Sequence, residues 1–161
     1  MHYYLEQLGV DPDGYYLQED PAVTKHHPEM QEEINKYGFP ACETWDLGNL
    51  STAWLYEHLR LFLDEGGKIV DFDFHKVTIP VLIFTTKPNR GLFVNGEYHP
   101  LYEEAQATAT LKEAIIVCSN YLANYLTNID DAETIEREMH LRECQQQAFK
   151  IYSVILPYMW W

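Results

Sequence analysis

The residues best suited to chemistry form a short run in which acidic and aromatic side chains alternate. Asp71, Asp73 and His75 are separated by Phe72 and Phe74. Because alternate residues of a strand share a face, a strand here would place two carboxylates and an imidazole side by side. These groups suit Mg²⁺, Mn²⁺ or Zn²⁺ and would make the protein a metal-dependent hydrolase or a nucleotide-binding protein. The alternative is the solvated face of a half-buried strand, which alternation alone often produces.

No other motif points to catalysis. His140 and Cys144 are four residues apart and would share one face of a helix, but zinc needs three or four ligands and no second ligand cluster follows. Cys144 is therefore predicted to pack as a small hydrophobic residue. The chain lacks a G-x-S-x-G motif, and Gly66-Gly67 ends a predicted helix, whereas phosphate-binding glycines open one. We predict no catalytic residue and no cofactor.

Negative charge is the strongest compositional signal. The 161 residues include 25 acidic and 11 basic side chains, a net charge of −14, and residues 1–66 alone carry −10. This charge repels phosphates and anionic lipids, so we expect no direct binding to nucleic acid or membranes. Carboxylates on a rigid scaffold can instead imitate a run of phosphates and dock on a basic protein surface, with aromatic side chains as anchors.

The predicted partner-binding residues are acidic apart from one tryptophan: Glu29, Glu32, Glu33, Glu43, Trp45, Asp46, Glu57, Asp64 and Glu65. The alternative is that these side chains belong to ordinary solvated helix faces and only keep the protein soluble.

Helices are predicted to position these residues. Apolar spacing indicates helices over 2–8, 28–37 and 47–65, with Gly38 ending the second and Gly66 the third.

Two more helices are expected to close the chain. Thr110 and Glu113 have the spacing of a capping box at the start of the first. Asp130 or Asp131 is expected to cap the last helix, and Pro157 to end it.

A β-like region lies between these helical parts. Lys68–Phe74 alternates, whereas Val77–Thr86 is β-branched and contains Pro80, which indicates an edge strand or a bulge. Asn95-Gly96, between Leu92-Phe93-Val94 and Glu97-Tyr98-His99, predicts a two-residue hairpin. We therefore expect an α+β fold, a mostly helical single domain over 1–161. Three main helices and short N-terminal helices would carry an inserted antiparallel sheet of three or four strands around 68–99.

Localisation and assembly are inferred from the remaining composition. Three cysteines without a C-x-x-C pair and a start without a secretion signal predict a cytoplasmic protein with reduced thiols. The apolar run Ile79–Phe84 is far shorter than the roughly 20 residues of a membrane helix. Trp160 and Trp161 are expected to fold onto the helices or to form a homodimer contact.

Three stretches, residues 38–47, 68–76 and 156–161, resemble a family of small acidic proteins encoded by bacteriophages and prophages of Gram-positive bacteria. They contain a G-F-P motif, then W-x-L with a threonine nearby, and a last helix that ends in aromatic residues and tryptophan. Gly48-Asn49 departs from the family pattern, in which an aspartate is usual, and 77–108 has the character of an insertion.

The resemblance carries over no functional residue, because the family has no settled biochemical activity. It implies a phage-type protein that binds and inhibits a host nucleic-acid-binding or anti-phage defence protein in the host cytoplasm, which makes an enzyme less expected. A small-ligand sponge, with a pocket between the inserted hairpin and the helices, is a further alternative.

Overall fold

The computed structural model describes residues 2–16, 29–39, 41, 46–66, 75–84, 93–94, 97–98 and 102–159. These ranges contain five α-helices and four strands in a mostly helical α+β arrangement, as the sequence predicts. The chain divides into two compact units, Met1–His58 and Leu59–Trp161. The single-domain organisation stays a prediction, and the expected strand Lys68–Phe74 lies outside the described residues.

The first unit contains α1 and α2 and most of α3, which continues into the second unit. Their bounds are Tyr3–Leu8, Met30–Tyr37 and Leu47–Glu65. Gly9 follows α1 with a φ of 74°, and Gly38 follows α2 with a φ of 89°. Glycine tolerates this left-handed conformation, and both helices therefore end where their glycine stands. The three helices predicted for this part of the chain are confirmed.

Buried tyrosines fix the irregular chain that follows α1. A single 3-10 turn, Pro12–Gly14, is capped by Asp11, whose Oδ1 accepts a hydrogen bond of 3.1 Å from the backbone N–H of Asp13. Tyr15 and Tyr16 come directly after this turn and are both buried. The turn chemistry of the sequence therefore directs an aromatic pair into the interior of the unit.

Two antiparallel helices form the core of the second unit, α4 over Leu111–Asn128 and α5 over Ile135–Ile155. Cys118 Sγ donates to the carbonyl of Ala148 at 3.2 Å, and Arg137 Nη2 donates to Asn128 Oδ1 at 3.1 Å. Later residues of α4 thus meet earlier residues of α5. Fully buried side chains fill the space between them: Ile115, Cys118, Leu122, Tyr125, Ala148, Ile151 and Ile155.

The start of α4 is capped as predicted. Thr110 Oγ1 accepts from the N–H of Glu113 at 3.1 Å, and Glu113 Oε2 accepts from the N–H of Thr110 at 2.8 Å. This reciprocal pair satisfies two donors at the junction between the preceding strand and the helix.

The start of α5 differs from the prediction. Thr134, not Asp130 or Asp131, caps it, and Thr134 Oγ1 accepts from the N–H of Arg137 at 3.1 Å. The two aspartates lie in the turn before it. The end of α5 agrees with the sequence, because the helix gives way to a single 3-10 turn that contains Pro157.

The described strands form two separate two-stranded sheets, which corrects the expectation of one sheet of three or four strands. Strand β1 (Lys76–Phe84) pairs antiparallel with β4 (Tyr102–Thr110), so that Lys76 lies opposite Thr110. Between them in sequence, β2 (Phe93–Val94) pairs with β3 (Glu97–Tyr98), which confirms the predicted hairpin.

Strand β1 connects the larger sheet to the helix pair. Val77 and Ile79 are buried, the carbonyl of His75 accepts from the N–H of Leu111 at 2.7 Å, and Leu82 donates its N–H to Tyr121 Oη at 3.1 Å. Since each strand of a two-stranded sheet is an edge strand, Pro80 is accommodated in β1 as predicted. No helix among the described residues has the length and apolar character needed to cross a bilayer.

Candidate functional site

Three of the predicted acidic residues lie at the start of α2. Glu29 and Glu32 are exposed, whereas Glu33 is half-buried and accepts a hydrogen bond of 2.8 Å from the N–H of Ala41. Carboxylates are favoured here because the first turn of a helix carries a partial positive charge. Met30, which is buried, fixes this end of α2 to the unit while Glu29 and Glu32 remain in solvent.

Exposed apolar side chains accompany these carboxylates in the same unit. Tyr37 and Phe39 follow the α2 acids in sequence, Leu47 follows Asp46, and Trp54 lies further along α3; each is between 46 and 58% exposed. Isolated exposed apolar residues are normal on a protein surface, but several in one unit that also exposes carboxylates are candidate anchors for a partner.

Of the predicted partner-binding residues around the start of α3, the structure describes only Asp46. Asp46 is exposed and accepts from Asn49 Nδ2 at 2.5 Å. Glu43 and Trp45 lie outside the described residues. We use the name acidic–aromatic set for the exposed described residues of the first unit that fit the predicted pattern: Glu29, Glu32, Tyr37, Phe39, Asp46, Leu47 and Trp54.

Two more predicted acids fall in the other unit. Asp64 and Glu65 are exposed in the last turn of α3, beyond His58, at which the first unit ends. They are therefore not members of the acidic–aromatic set, although the sequence groups them with it.

Glu57 has an interior role that differs from its predicted place on an exposed surface. Its side chain is only 13% exposed, and Oε2 accepts from His2 Nδ1 and from the Tyr16 hydroxyl, both at 2.9 Å. The His2 and Tyr16 rings stack with centroids 3.8 Å apart. Glu57 thus joins α3 to the N-terminal chain. The sequence shows only that Glu57 lies four residues after Ala53 and therefore on the same helix face, and the structure shows that this face is buried at Ala53.

The metal hypothesis stays a prediction. Asp71 and Asp73 lie outside the described residues, while the exposed His75 ring packs at a tilt against Tyr158 with centroids 4.3 Å apart. Within the described ranges, no group of three or more histidine, cysteine, aspartate or glutamate side chains could hold a metal ion.

The pair His140 and Cys144 is electrostatically unsuited to nucleophilic catalysis. Cys144 Sγ lies 3.9 Å from His140 Nδ1 and accepts from Asn124 Nδ2 at 3.6 Å. Burial raises the pKa of the Cys144 thiol, and burial also lowers the pKa of His140, so both groups are neutral near pH 7. A neutral thiol is a poor nucleophile. Cys144 is 2% exposed and packs as a small hydrophobic residue, as predicted.

Comparison with known proteins adds no relative. No family model matches the chain, no curated protein matches it, and no solved structure matches it. The resemblance to small acidic phage proteins stays a prediction. A function for this chain can therefore be argued only from its own residues.

Proposed function

We propose that the protein binds and inhibits a partner protein with a basic surface, and that the acidic–aromatic set provides the contact. The observation that carries this proposal is the concentration of charge in the first unit. Its 58 residues include 11 acidic and 2 basic side chains, a net charge of −9, whereas the remaining 103 residues carry −5. Most of the described acids of the first unit are exposed, so this charge is presented to solvent.

Electrostatic attraction accounts for partner choice and for the speed of association. The Debye length at physiological ionic strength is about 8 Å, so surface charges attract or repel a partner before the two proteins touch. A basic partner is attracted and an acidic one repelled, which raises the association rate and the specificity more than the affinity.

The exposed apolar members of the set supply the affinity. Binding energy concentrates on a few aromatic side chains that become buried in the complex, while the surrounding polar residues exclude water. Trp54 is the largest of these candidates, and its ring stacks on His58 at 4.0 Å, which holds it in one orientation before a partner arrives. Tyr37 and Phe39 add two aromatic rings close to the α2 carboxylates in sequence.

A protein that normally binds nucleic acid fits this surface best. Its basic cleft recognises spaced negative charges, which carboxylates on a helix can imitate. The resemblance to phage proteins makes a host nucleic-acid-binding or defence protein the expected target.

The test is capture of proteins from a lysate of a Gram-positive host by the immobilised full chain. Captured proteins should be basic, should elute as the salt concentration rises, and should be displaced by duplex DNA. The variant Glu29→Lys/Glu32→Lys should lose them. The matched control is Glu133→Lys/Glu136→Lys, which reverses two exposed charges with the same spacing at the start of α5 and should retain them.

Two outcomes would contradict the proposal. Capture that is unchanged up to about 0.5 M salt, where the Debye length is roughly 4 Å, would exclude an electrostatic contact. Equal loss of capture in the test and control variants would show that only net charge matters. Trp54→Ala separates the apolar contribution, and we expect it to weaken capture about tenfold or more.

A further inference from the structure

The solvent-facing side of α3 carries an apolar row in which every seventh residue is exposed. Leu47, Trp54 and Leu61 are 58%, 46% and 49% exposed. Seven residues are close to two helical turns, so the three side chains lie almost in line, about 21 Å from first to last. All three belong to one continuous helix, so the row is a property of α3 alone. The solvent-facing side of a helix is normally polar, and an apolar row there is typical of a face that another molecule covers.

Two small or polar residues complete the spacing of this row. Ser51 lies four residues after Leu47, and the exposed His58 lies four residues after Trp54. Alternating steps of four and three residues are the pattern of a helix face that packs against a second helix. The His58 ring stacks on Trp54 at 4.0 Å, and His58 Nδ1 donates to the Trp54 carbonyl at 2.8 Å. The indole is therefore ordered before binding, which reduces the entropy lost when a partner buries it.

Acidic side chains lie at both ends of the row. Asp46 is exposed directly before α3, and Asp64 and Glu65 are exposed in its last turn. Carboxylates at the C-terminal end of a helix meet the negative end of its dipole, so a cationic partner is attracted there. A second copy of this chain would bring acids against acids in either orientation, because a parallel pair matches like ends and an antiparallel pair places Asp46 beside Asp64 and Glu65. Charge therefore favours a basic partner over self-association.

We infer that the partner contributes a basic amphipathic α-helix that docks lengthwise along this row. Its apolar face contacts Leu47, Trp54 and Leu61, while lysine or arginine side chains beside that face approach the acids at the two ends. The row has the length of about four helical turns, which a single partner helix can cover. This partner element rests on the proposed function, because Leu47 and Trp54 are members of the acidic–aromatic set. Leu61 is a further binding residue outside that set.

The first experiment titrates two fluorescein-labelled peptides of identical composition with the full chain and measures fluorescence anisotropy. The probe has three repeats of the heptad Leu-Lys-Lys-Leu-Ala-Lys-Ala and is about 31 Å long as a helix. The control peptide has the same residues with its leucines spread evenly around the helix. Both peptides carry the same charge, so only the apolar pattern differs between them. The probe should bind at least about tenfold more tightly than the control.

The second experiment shortens the row without changing any charge. Leu61→Gln should weaken binding of the probe about tenfold, because it removes one apolar anchor from the contact. The matched control is Leu156→Gln, which makes the same change at a leucine that is 50% exposed and outside α3, and which should retain the affinity. Leu47→Gln removes the opposite end of the row. It provides a second test should Leu61→Gln not fold, and it should also lose affinity.

Three results would overturn the inference. They are equal binding of the two peptides, unchanged affinity in both Leu61→Gln and Leu47→Gln, and a dimer of the full chain at about 0.1 mM that Leu61→Gln dissociates, which would assign the row to a second copy. Failure of the inference is distinguishable from failure of the proposed function. Capture that Glu29→Lys/Glu32→Lys abolishes and Leu61→Gln leaves unchanged would retain the basic partner and remove the docked helix. Row-dependent binding of the probe together with capture that is insensitive to salt would do the reverse.

Discussion

The two units of the chain use their charged residues differently. In the second unit, Arg142 Nε donates to Glu138 at 2.8 Å and Lys150 donates to Glu104, so acids and bases pair within α5 and between α5 and β4. The first unit has only two basic residues for 11 acids, and its described carboxylates are mostly exposed. The first unit thus carries most of the net negative charge, whereas basic side chains of the second unit pair with nearby acids.

Both units expose apolar side chains, but of different kinds. Four of the five large ones in the described part of the first unit are aromatic, whereas five of the six in the second unit are aliphatic: Tyr3, Tyr37, Phe39 and Trp54 against Leu61, Ile83, Ile116, Ile135 and Leu156. Exposed aromatic side chains together with most of the net negative charge are what the proposed contact surface in the first unit requires. Substitutions in each unit can test this distinction.

The largest effect is expected in the core of the helix pair. Ile115→Ala removes a fully buried side chain and should reduce the free energy of unfolding by about 2–5 kcal/mol, because it loses apolar burial and leaves a cavity. Ile116→Ala is the matched control at the next residue, which is 39% exposed, and should change it by less than about 1 kcal/mol. Urea unfolding followed by circular dichroism measures both. Equal losses would show that α4 is not packed as described.

A smaller effect is expected at Glu57 in the first unit. Glu57→Leu removes the carboxylate that accepts from both His2 and Tyr16 and places an apolar side chain against their polar atoms, which should cost about 1–3 kcal/mol. Hydrogen exchange of the α1 amides should therefore accelerate roughly 5- to 150-fold.

Glu32→Gln is the control that sharpens the contrast between interior and surface carboxylates. Glu32 is exposed, so its substitution should leave hydrogen exchange almost unchanged and should weaken partner capture instead. Unchanged hydrogen exchange of the α1 amides in Glu57→Leu would show that Glu57 does not stabilise α1, and would favour the exposed position that the sequence predicts.

The fold could be predicted where local signals decide it. The bounds of α3 and the capping box at Thr110 follow from apolar spacing and from Ser/Thr–Glu chemistry. Strand β4 was missed because Tyr102–Thr110 contains two glutamates and three alanines, which disfavour strands. Its conformation is imposed by pairing with β1, an interaction between distant parts of the chain.

The roles of the site residues were harder to predict, because they depend on contacts with residues that are distant in the sequence. Glu57 accepts hydrogen bonds from residues that lie 55 and 41 positions earlier in the chain, and nothing in the residue type itself indicates this. The burial of Gln147 could have been predicted, because it lies three residues after Cys144 and four before Ile151 on one face of α5.

The smallest effect is expected from His140, and it concerns the pH dependence of the second unit. Burial lowers the pKa of His140, Glu143 raises it in part, and Arg137 lowers it further. The folded chain therefore binds this proton more weakly than the unfolded chain, in which the pKa is about 6.5. The stability that neutral His140 contributes is complete above about pH 6.5 and is lost as the pH falls through that value towards the folded pKa.

His140→Gln should reduce the change in the free energy of unfolding of the second unit between about pH 8 and pH 5. The reduction should be less than about 1 kcal/mol, because solvent screens this half-buried group. Cys144 does not contribute in this range, since burial raises its pKa and keeps the thiol protonated. The control is His58→Gln, which removes an exposed histidine from the first unit and should leave this dependence in place. Urea midpoints across this pH range measure the effect. A steeper dependence of the urea midpoint on pH in His140→Gln than in the unsubstituted chain would mean that the folded chain stabilises the charged imidazole. Burial of His140 would then not be the dominant influence on its pKa.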